Sequence, residues 1–269
     1  MKLSRITAFS SSLLLGAALA LTGAAQAQAA ENAAPVDYVA LGDSYSSGLG
    51  AGGYDSASGD CKRSNRAFPK LWAAANSPSS FGFTACAGAI TSDVTSKQLG
   101  PVNASTDLVS ISVGGNDAGF ADVMTTCVLQ SEANCINRVN QARAFVDATL
   151  AGRLDSVYNA ISSRAPSARV VVLGYPRFYQ LNGGCLAGLS ENERRAINGG
   201  ADHLNTALAK RAANHGFDFA DVVPHFTGHE ICSGDSWLHS VNWLNIGESY
   251  HPTASGQSGG YLPAFRSRA

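Results

Sequence analysis

Short apolar runs rich in β-branched residues recur along this chain, each followed by a stretch with helical periodicity. That alternation limits the fold more than any other feature of the sequence. The runs cover residues 36–41, 81–84, 108–113, 169–173 and 217–223. Leu108 to Val113 is the clearest of them, and the Val-Val-Val-Leu run ending at Leu173 is continuous enough to be buried on both faces. Helices are expected over residues 67–75 and 92–99. A long one is expected from Cys135 to Arg164, where Val139, Val146, Leu150, Leu154, Val157 and Ile161 recur at spacings that suit a core-facing helix, and Pro166 ends it. Another runs from Glu191 to His215, opened by the S-x-x-E spacing of Ser190 and Glu193 and closed at Gly216. Pro252 to Gly256 opens a last short helix.

Strands separated by helices pair in parallel through right-handed crossovers, and a parallel sheet needs helices on both faces. The expected fold is therefore an α/β three-layer α/β/α sandwich. It would hold a flavodoxin-like parallel sheet of about five strands, ordered 2-1-3-4-5. In such sheets ligands bind beyond the carboxyl ends of the strands, where the strand order reverses. The residues just after each strand are thus the first place to look for chemistry.

The first residues read differently. Lys2 and Arg5 precede a small-residue apolar stretch, and two overlapping A-x-A sites follow at Ala25-Gln26-Ala27 and Ala27-Gln28-Ala29. That order of charge, apolar core and small-residue site is a secretory signal. The core is too short for a membrane span, which needs about 20 apolar residues. Residues 1–29 are expected to be removed and residues 30–269 to form one domain, secreted, extracellular and without stable membrane insertion. With 19 basic and 20 acidic residues and no basic run, the charge points away from nucleic acid as a partner.

Six cysteines, an even number, follow the leader: Cys61, Cys86, Cys127, Cys135, Cys185 and Cys232. In an exported chain that points to disulfides, although sequence alone leaves the pairing open. Pairing of neighbours, Cys61–Cys86, Cys127–Cys135 and Cys185–Cys232, is the simplest arrangement. No C-x-x-C pair is present, and His225 and His229 lack the H-E-x-x-H spacing beside Pro224 and Gly228, so no metal is expected.

Four segments carry the candidate chemistry. Gly42-Asp43-Ser44-Tyr45 follows the first strand, Cys86-Ala87-Gly88-Ala89 the second and Gly114-Gly115-Asn116-Asp117 the third; Glu248-Ser249-Tyr250-His251-Pro252 lies near the C-terminus. Each alone also reads as an ordinary turn, a helix cap or a surface histidine. Together they supply a serine nucleophile, Ser44, and a histidine base, His251. In a 2-1-3 strand order the N–H groups of Ser44 and Gly88 and the amide of Asn116 would form a three-donor oxyanion hole. Tyr54, Phe120, Phe178 and Trp243 are candidates for an acyl groove, although any single one of them reads more readily as core or surface.

In their order and spacing these segments resemble the blocks of the SGNH (GDSL-type) hydrolase superfamily: G-D-S at Gly42-Asp43-Ser44, a glycine at Gly88, G-x-N-D at Gly114 to Asp117, and a C-terminal D-x-x-H at 248–251. More narrowly, the chain looks like its secreted actinomycete lipases and phospholipases. The resemblance implies ester hydrolysis by Ser44 and His251 through an acyl-enzyme. It also implies oxyanion donors from Ser44, Gly88 and Asn116, sequential disulfides, no cofactor, and a lipid or other ester as substrate for a monomeric enzyme. One block departs from the pattern, because position 248 is Glu248 where the family has aspartate. The expected orienter of His251 is then the backbone carbonyl of Glu248 or Ser249, with the Glu248 side chain second. Rival readings are a carbohydrate-ester deacetylase, an acyltransferase, and a ligand-binding module without catalysis.

Overall fold

The computed structural model describes residues 36–185 and 188–269. The leader expected over residues 1–29 lies outside them. Five strands form one sheet, all parallel: β1 (Asp37–Gly42), β2 (Ser80–Phe83), β3 (Leu108–Ser112), β4 (Arg169–Leu173) and β5 (Asp218–Ala220), in the order β2-β1-β3-β4-β5. The order reverses between β1 and β3, where Gly42 lies in register with Ser112.

A four-residue helix α1 (Ser44–Ser47) follows β1, then α2 (Phe68–Asn76) leads to β2 and α3 (Thr91–Asp93) starts the return toward β3. Between β3 and β4 lie α4 (Phe120–Leu129), α5 (Glu132–Phe145) and α6 (Ala151–Arg164), with a π-helical segment, Val146–Leu150, joining the last two. Helix α7 (Glu191–Asn214) precedes β5, α8 (Val223–Phe226) follows it, and a π-helical turn, Gly256–Tyr261, runs into α9 (Leu262–Arg266). The chain winds one way from β1 to β2 and the other way from β3 to β5. Right-handed crossovers therefore put α2 on one face, packed with α9, and α6 and α7 on the other, packed together with α5 against α7. This is the expected three-layer sandwich.

Both central strands are buried, β3 at all five positions, so an apolar sequence suits them. Ser110 and Ser112 are the polar exceptions, and each has a partner. The Tyr38 hydroxyl and Ser110 Oγ are 2.7 Å apart, and Ser112 serves the site described below.

Three elements differ from the sequence expectation. The last strand is only Asp218–Ala220: Val222 already turns helical and Pro224 begins α8, since proline presets φ for a first helical turn. The long helical region begins at Glu132, where Ser131 caps it by accepting from Asn134 N–H, and it changes to π geometry at Val146. Helix α4 was not expected at all. Phe120, Val123, Met124 and Cys127 do recur at the spacing of a core-facing helix, but the stripe covers little more than two turns.

Three disulfides join Cys61 to Cys86, Cys127 to Cys135 and Cys185 to Cys232. The first ties the loop after β2 to the segment before α2, and the second ties α4 to α5.

Candidate active site

The chain leaves β1 through a turn that only glycine fits. Gly42 has φ +121°, and a Cβ there would lie 2.4 Å from the carbonyl oxygen of Ser112. The peptide of Gly42 is held on its other side by the buried side chain of Gln98, whose Oε1 accepts from Gly42 N–H at 2.7 Å and whose Nε2 donates to Gly42 O at 2.8 Å. Asp43 then caps α1, accepting from Tyr45 N–H at 3.0 Å. Ser44 is thereby the first residue of a helix at the carboxyl end of the sheet, beside the switch in strand order.

His251 reaches this serine from the other end of the chain. The Ser44 hydroxyl is 2.7 Å from His251 Nε2, and His251 Nδ1 is 3.0 Å from the carbonyl oxygen of Ser249. A carbonyl can only accept, so Nδ1 carries the proton and the Nε2 lone pair faces the hydroxyl. Burial pushes the imidazole down to about 4, more than the Ser249 carbonyl raises it. The ring is therefore neutral near pH 7, the form a base requires. Tyr45 packs against it with ring centroids 5.1 Å apart.

The Ser249 carbonyl faces the ring because Tyr250 between them is left-handed, with φ +68°. That conformation costs a non-glycine residue about 1–2 kcal/mol. It is held by Tyr250 N–H donating to His239 O at 2.9 Å and by the Tyr45 hydroxyl donating to Tyr250 O at 2.9 Å. The Glu248 side chain turns away from the ring. Its carboxylate accepts from the Tyr54 hydroxyl at 2.6 Å, and its backbone carbonyl accepts from His251 N–H at 3.1 Å. Tyr54 in turn accepts from Gly50 N–H at 2.9 Å, and Gly50 O accepts from His239 Nε2 at 2.8 Å. Glu248 is thus one end of a strut that fixes the histidine loop from outside.

Gly88 and Asn116 line the same groove as Ser44 and His251. Gly88 has φ +78°, a conformation that favours glycine. Asn116 Nδ2 donates to Ala89 O at 3.0 Å, which fixes its amide plane and leaves a second N–H on the same nitrogen. The neighbouring Asp117 clamps the loop after β2, accepting from Thr91 N–H at 3.0 Å, from the Thr91 hydroxyl at 2.6 Å and from Arg153 at 3.2 Å.

Beneath Ser44 lies a buried polar network. The Asp43 carboxylate also accepts from Ser112 Oγ at 2.7 Å and from the Tyr175 hydroxyl at 2.5 Å; Tyr175 in turn accepts from Gly115 N–H at 3.3 Å. One carboxylate thus joins the ends of β1, β3 and β4. Burial pushes it up to about 6, opposed by these donors.

Around these groups the surface is apolar. The groove holding Ser44 and His251 is rimmed by Leu129, Trp243 and Ile246, which are 67%, 73% and 62% exposed. A second, mostly buried pocket starts at Ser44 and Asn116 and runs between α4 and α7.

A sequence profile of the GDSL-like lipase/acylhydrolase family matches residues 40–258. The chain belongs to that family. Its members are carboxylic ester hydrolases. It is 67% identical to Lipase 1 of Streptomyces coelicolor over the whole of both chains. Among solved structures it resembles phospholipase A1 from Streptomyces albidoflavus, with 70% identity, a TM-score of 0.86, and coverage of 88% of this chain and 100% of that one. The extracellular lipase of Streptomyces rimosus is similar at 63% identity and a TM-score of 0.85, covering 87% of this chain and 100% of that one.

Of the aromatics considered for a groove, Phe120 and Phe178 stack with centroids 5.1 Å apart and line the buried pocket, while Trp243 lines the open groove. Tyr54 instead holds Glu248. His225 and His229 form no pair: His229 stacks on Trp237 at 3.6 Å and its Nδ1 lies 2.9 Å from Asp235 O. Sequence reasoning missed Gln98, Ser112, Tyr175 and the structural part of Asp43. In this family member a buried-strand serine at 112 and an aspartate after a Gly turn were the available hints, but nothing in the spacing links them to Tyr175.

Proposed function

We propose that the protein is an exported lipid-ester hydrolase acting by acyl transfer through Ser44 and His251. The observation that carries this reading is a serine hydroxyl directed at the unprotonated nitrogen of a neutral, buried imidazole. His251 Nε2 takes the Ser44 proton as Oγ attacks the ester carbonyl. The N–H groups of Ser44 and Gly88 and the Asn116 amide meet the oxyanion, and loss of one such donor typically costs roughly 100- to 1,000-fold in rate. His251 then gives its proton to the leaving alcohol. Water, activated by the same nitrogen, releases the acid. The Ser249 carbonyl does the orienting task that a carboxylate performs in a triad.

The apolar groove with its exposed Leu129, Trp243 and Ile246 rim supports a lipid ester over an acetylated sugar. So do relatives named lipase and phospholipase A1. The leader-like residues 1–29 and the three disulfides support export.

A fluorophosphonate should label Ser44 covalently. Ser44→Ala should abolish labelling and lower chromogenic-ester hydrolysis by about 10⁴-fold or more. Hydrolysis by Ser44→Ala at the unsubstituted rate would refute the assignment.

A further inference from the structure

Ser44 and Asn116 line two apolar spaces, and one group distinguishes them. The buried arm, about 80 Å³, is walled by Val123, Val146, Ile197, Ala201 and Leu204. The groove, about 500 Å³, is walled by Leu129, Trp243 and Ile246 and also by His251. His251 lines the groove and not the arm.

We propose that the acyl chain of the substrate lies in the buried arm and its alcohol portion in the groove, with Ala201 limiting acyl length. This rests on the ester-hydrolase reading of the site. In the first step the Ser44 Oγ–carbonyl carbon bond forms and the bond from that carbon to the alcohol oxygen breaks. The proton that Nε2 took from Ser44 passes to the alcohol oxygen, which must therefore lie within reach of Nε2. Only the groove offers that position. In the second step water must approach the same nitrogen while the acyl group is still bound to Ser44. A chain lying in the groove would cover that approach, whereas one lying in the arm leaves it open once the alcohol has left.

The arm suits a chain that stays behind. Its walls are buried, with Val123 8%, Val146 3%, Ile197 4% and Leu204 8% exposed, whereas the groove rim is exposed. Small residues on the facing helices, Ala142, Gly200 and Ala201, leave the space unfilled. At about 80 Å³ the arm is roughly half the size of an engineered apolar cavity of about 150 Å³ that admits benzene. A short chain of a few carbons fits it as it stands. Each methylene buried there should favour the transition state by roughly fourfold, until the walls stop it.

Two substrate series separate the arms: p-nitrophenyl esters with acyl chains from acetate to octanoate, and butyrate esters of alcohols from methanol to hexanol. Ala201→Leu should lower the butyrate-to-acetate ratio of kcat/KM by about tenfold and leave the alcohol dependence as it was. Trp243→Ala should flatten the alcohol series and leave the acyl series as it was. The reverse pattern, or no change in either ratio, overturns the proposal. Should Ala201→Leu fail to fold, Val123→Ala enlarges the same arm and should raise the octanoate-to-butyrate ratio several-fold; an unchanged ratio overturns the proposal equally. Failure of the ester-hydrolase reading looks different: the unsubstituted protein would hydrolyse neither series and take no fluorophosphonate at Ser44.

Discussion

At the scale of single residues, His251 carries most of what is distinctive. Burial is the largest influence on its protonation and outweighs the Ser249 carbonyl. In the proposed mechanism the active form is the neutral ring, so activity is expected above the folded-state value and is lost as pH falls through it. An imidazole at its ordinary value of about 6.5 would be mostly protonated at pH 5, but one held at about 4 stays neutral. The acid limb of kcat/KM for a soluble ester, which reports the free enzyme, should therefore have its midpoint nearer 4 than 6.5. A midpoint at or above 6.5 would mean that the ring is more solvated than the structure has it. Glu248 gives a second test. Because its carboxylate bonds Tyr54 and not the ring, Glu248→Gln should lower kcat less than tenfold, against the roughly 10⁴-fold loss when a triad carboxylate is neutralised. Steady-state kcat with a saturating ester decides between them.

Among elements, the loops matter more than the sheet they rise from. The loop after β2 bears Gly88, and its anchors include the Cys61–Cys86 disulfide, Cys86 N–H donating to Gly42 O at 3.0 Å, Asn116 donating to Ala89 O at 3.0 Å, and Asp117 holding Thr91 from the loop after β3. Replacing both Cys61 and Cys86 by serine removes one anchor and the crosslink that restricts the unfolded chain. A loss of about 2–4 kcal/mol is expected, read from the midpoint of guanidinium unfolding. A change under about 0.5 kcal/mol would show that the remaining bonds hold the loop without the crosslink. Helix α4 shows why elements are harder to read than motifs. Its stripe of Phe120, Val123, Met124 and Cys127 is short, and both of the spaces beside Ser44 use residues of this helix as a wall.

Across the whole molecule, Ser44 and His251 are 207 residues apart in sequence, and their meeting depends on how the C-terminal segment docks. Gln257 performs much of that docking. Fully buried, it accepts from Phe68 N–H at 2.9 Å and donates to Tyr45 O at 3.0 Å, joining the segment to α2 and α1. Gln257→Ala would leave a buried N–H and a buried C=O without these partners, each worth about 1–3 kcal/mol. The expected loss is about 2–5 kcal/mol in guanidinium unfolding, with activity falling alongside; a stability unchanged within about 0.5 kcal/mol would contradict the docking role.

What the sequence by itself determined was local or periodic. Alternating strand and helix patterns implied the parallel sheet and its layers, because those periods follow from backbone geometry. The block spacing, a glycine and then Ser44 just after the first strand, and the family match over residues 40–258 were all legible in one dimension. Tertiary structure alone decided which groups meet across long separations. The Ser249 carbonyl facing the ring depends on the left-handed Tyr250. The turning of Glu248 toward Tyr54 depends on a loop 194 residues away. The Asp43 carboxylate gathers Ser112 from the end of β3 and Tyr175 from just beyond β4. The physical reason is common to all three. Hydrogen bonds and burial depend on where side chains end up in space, and spacing along the chain carries that information only within one element.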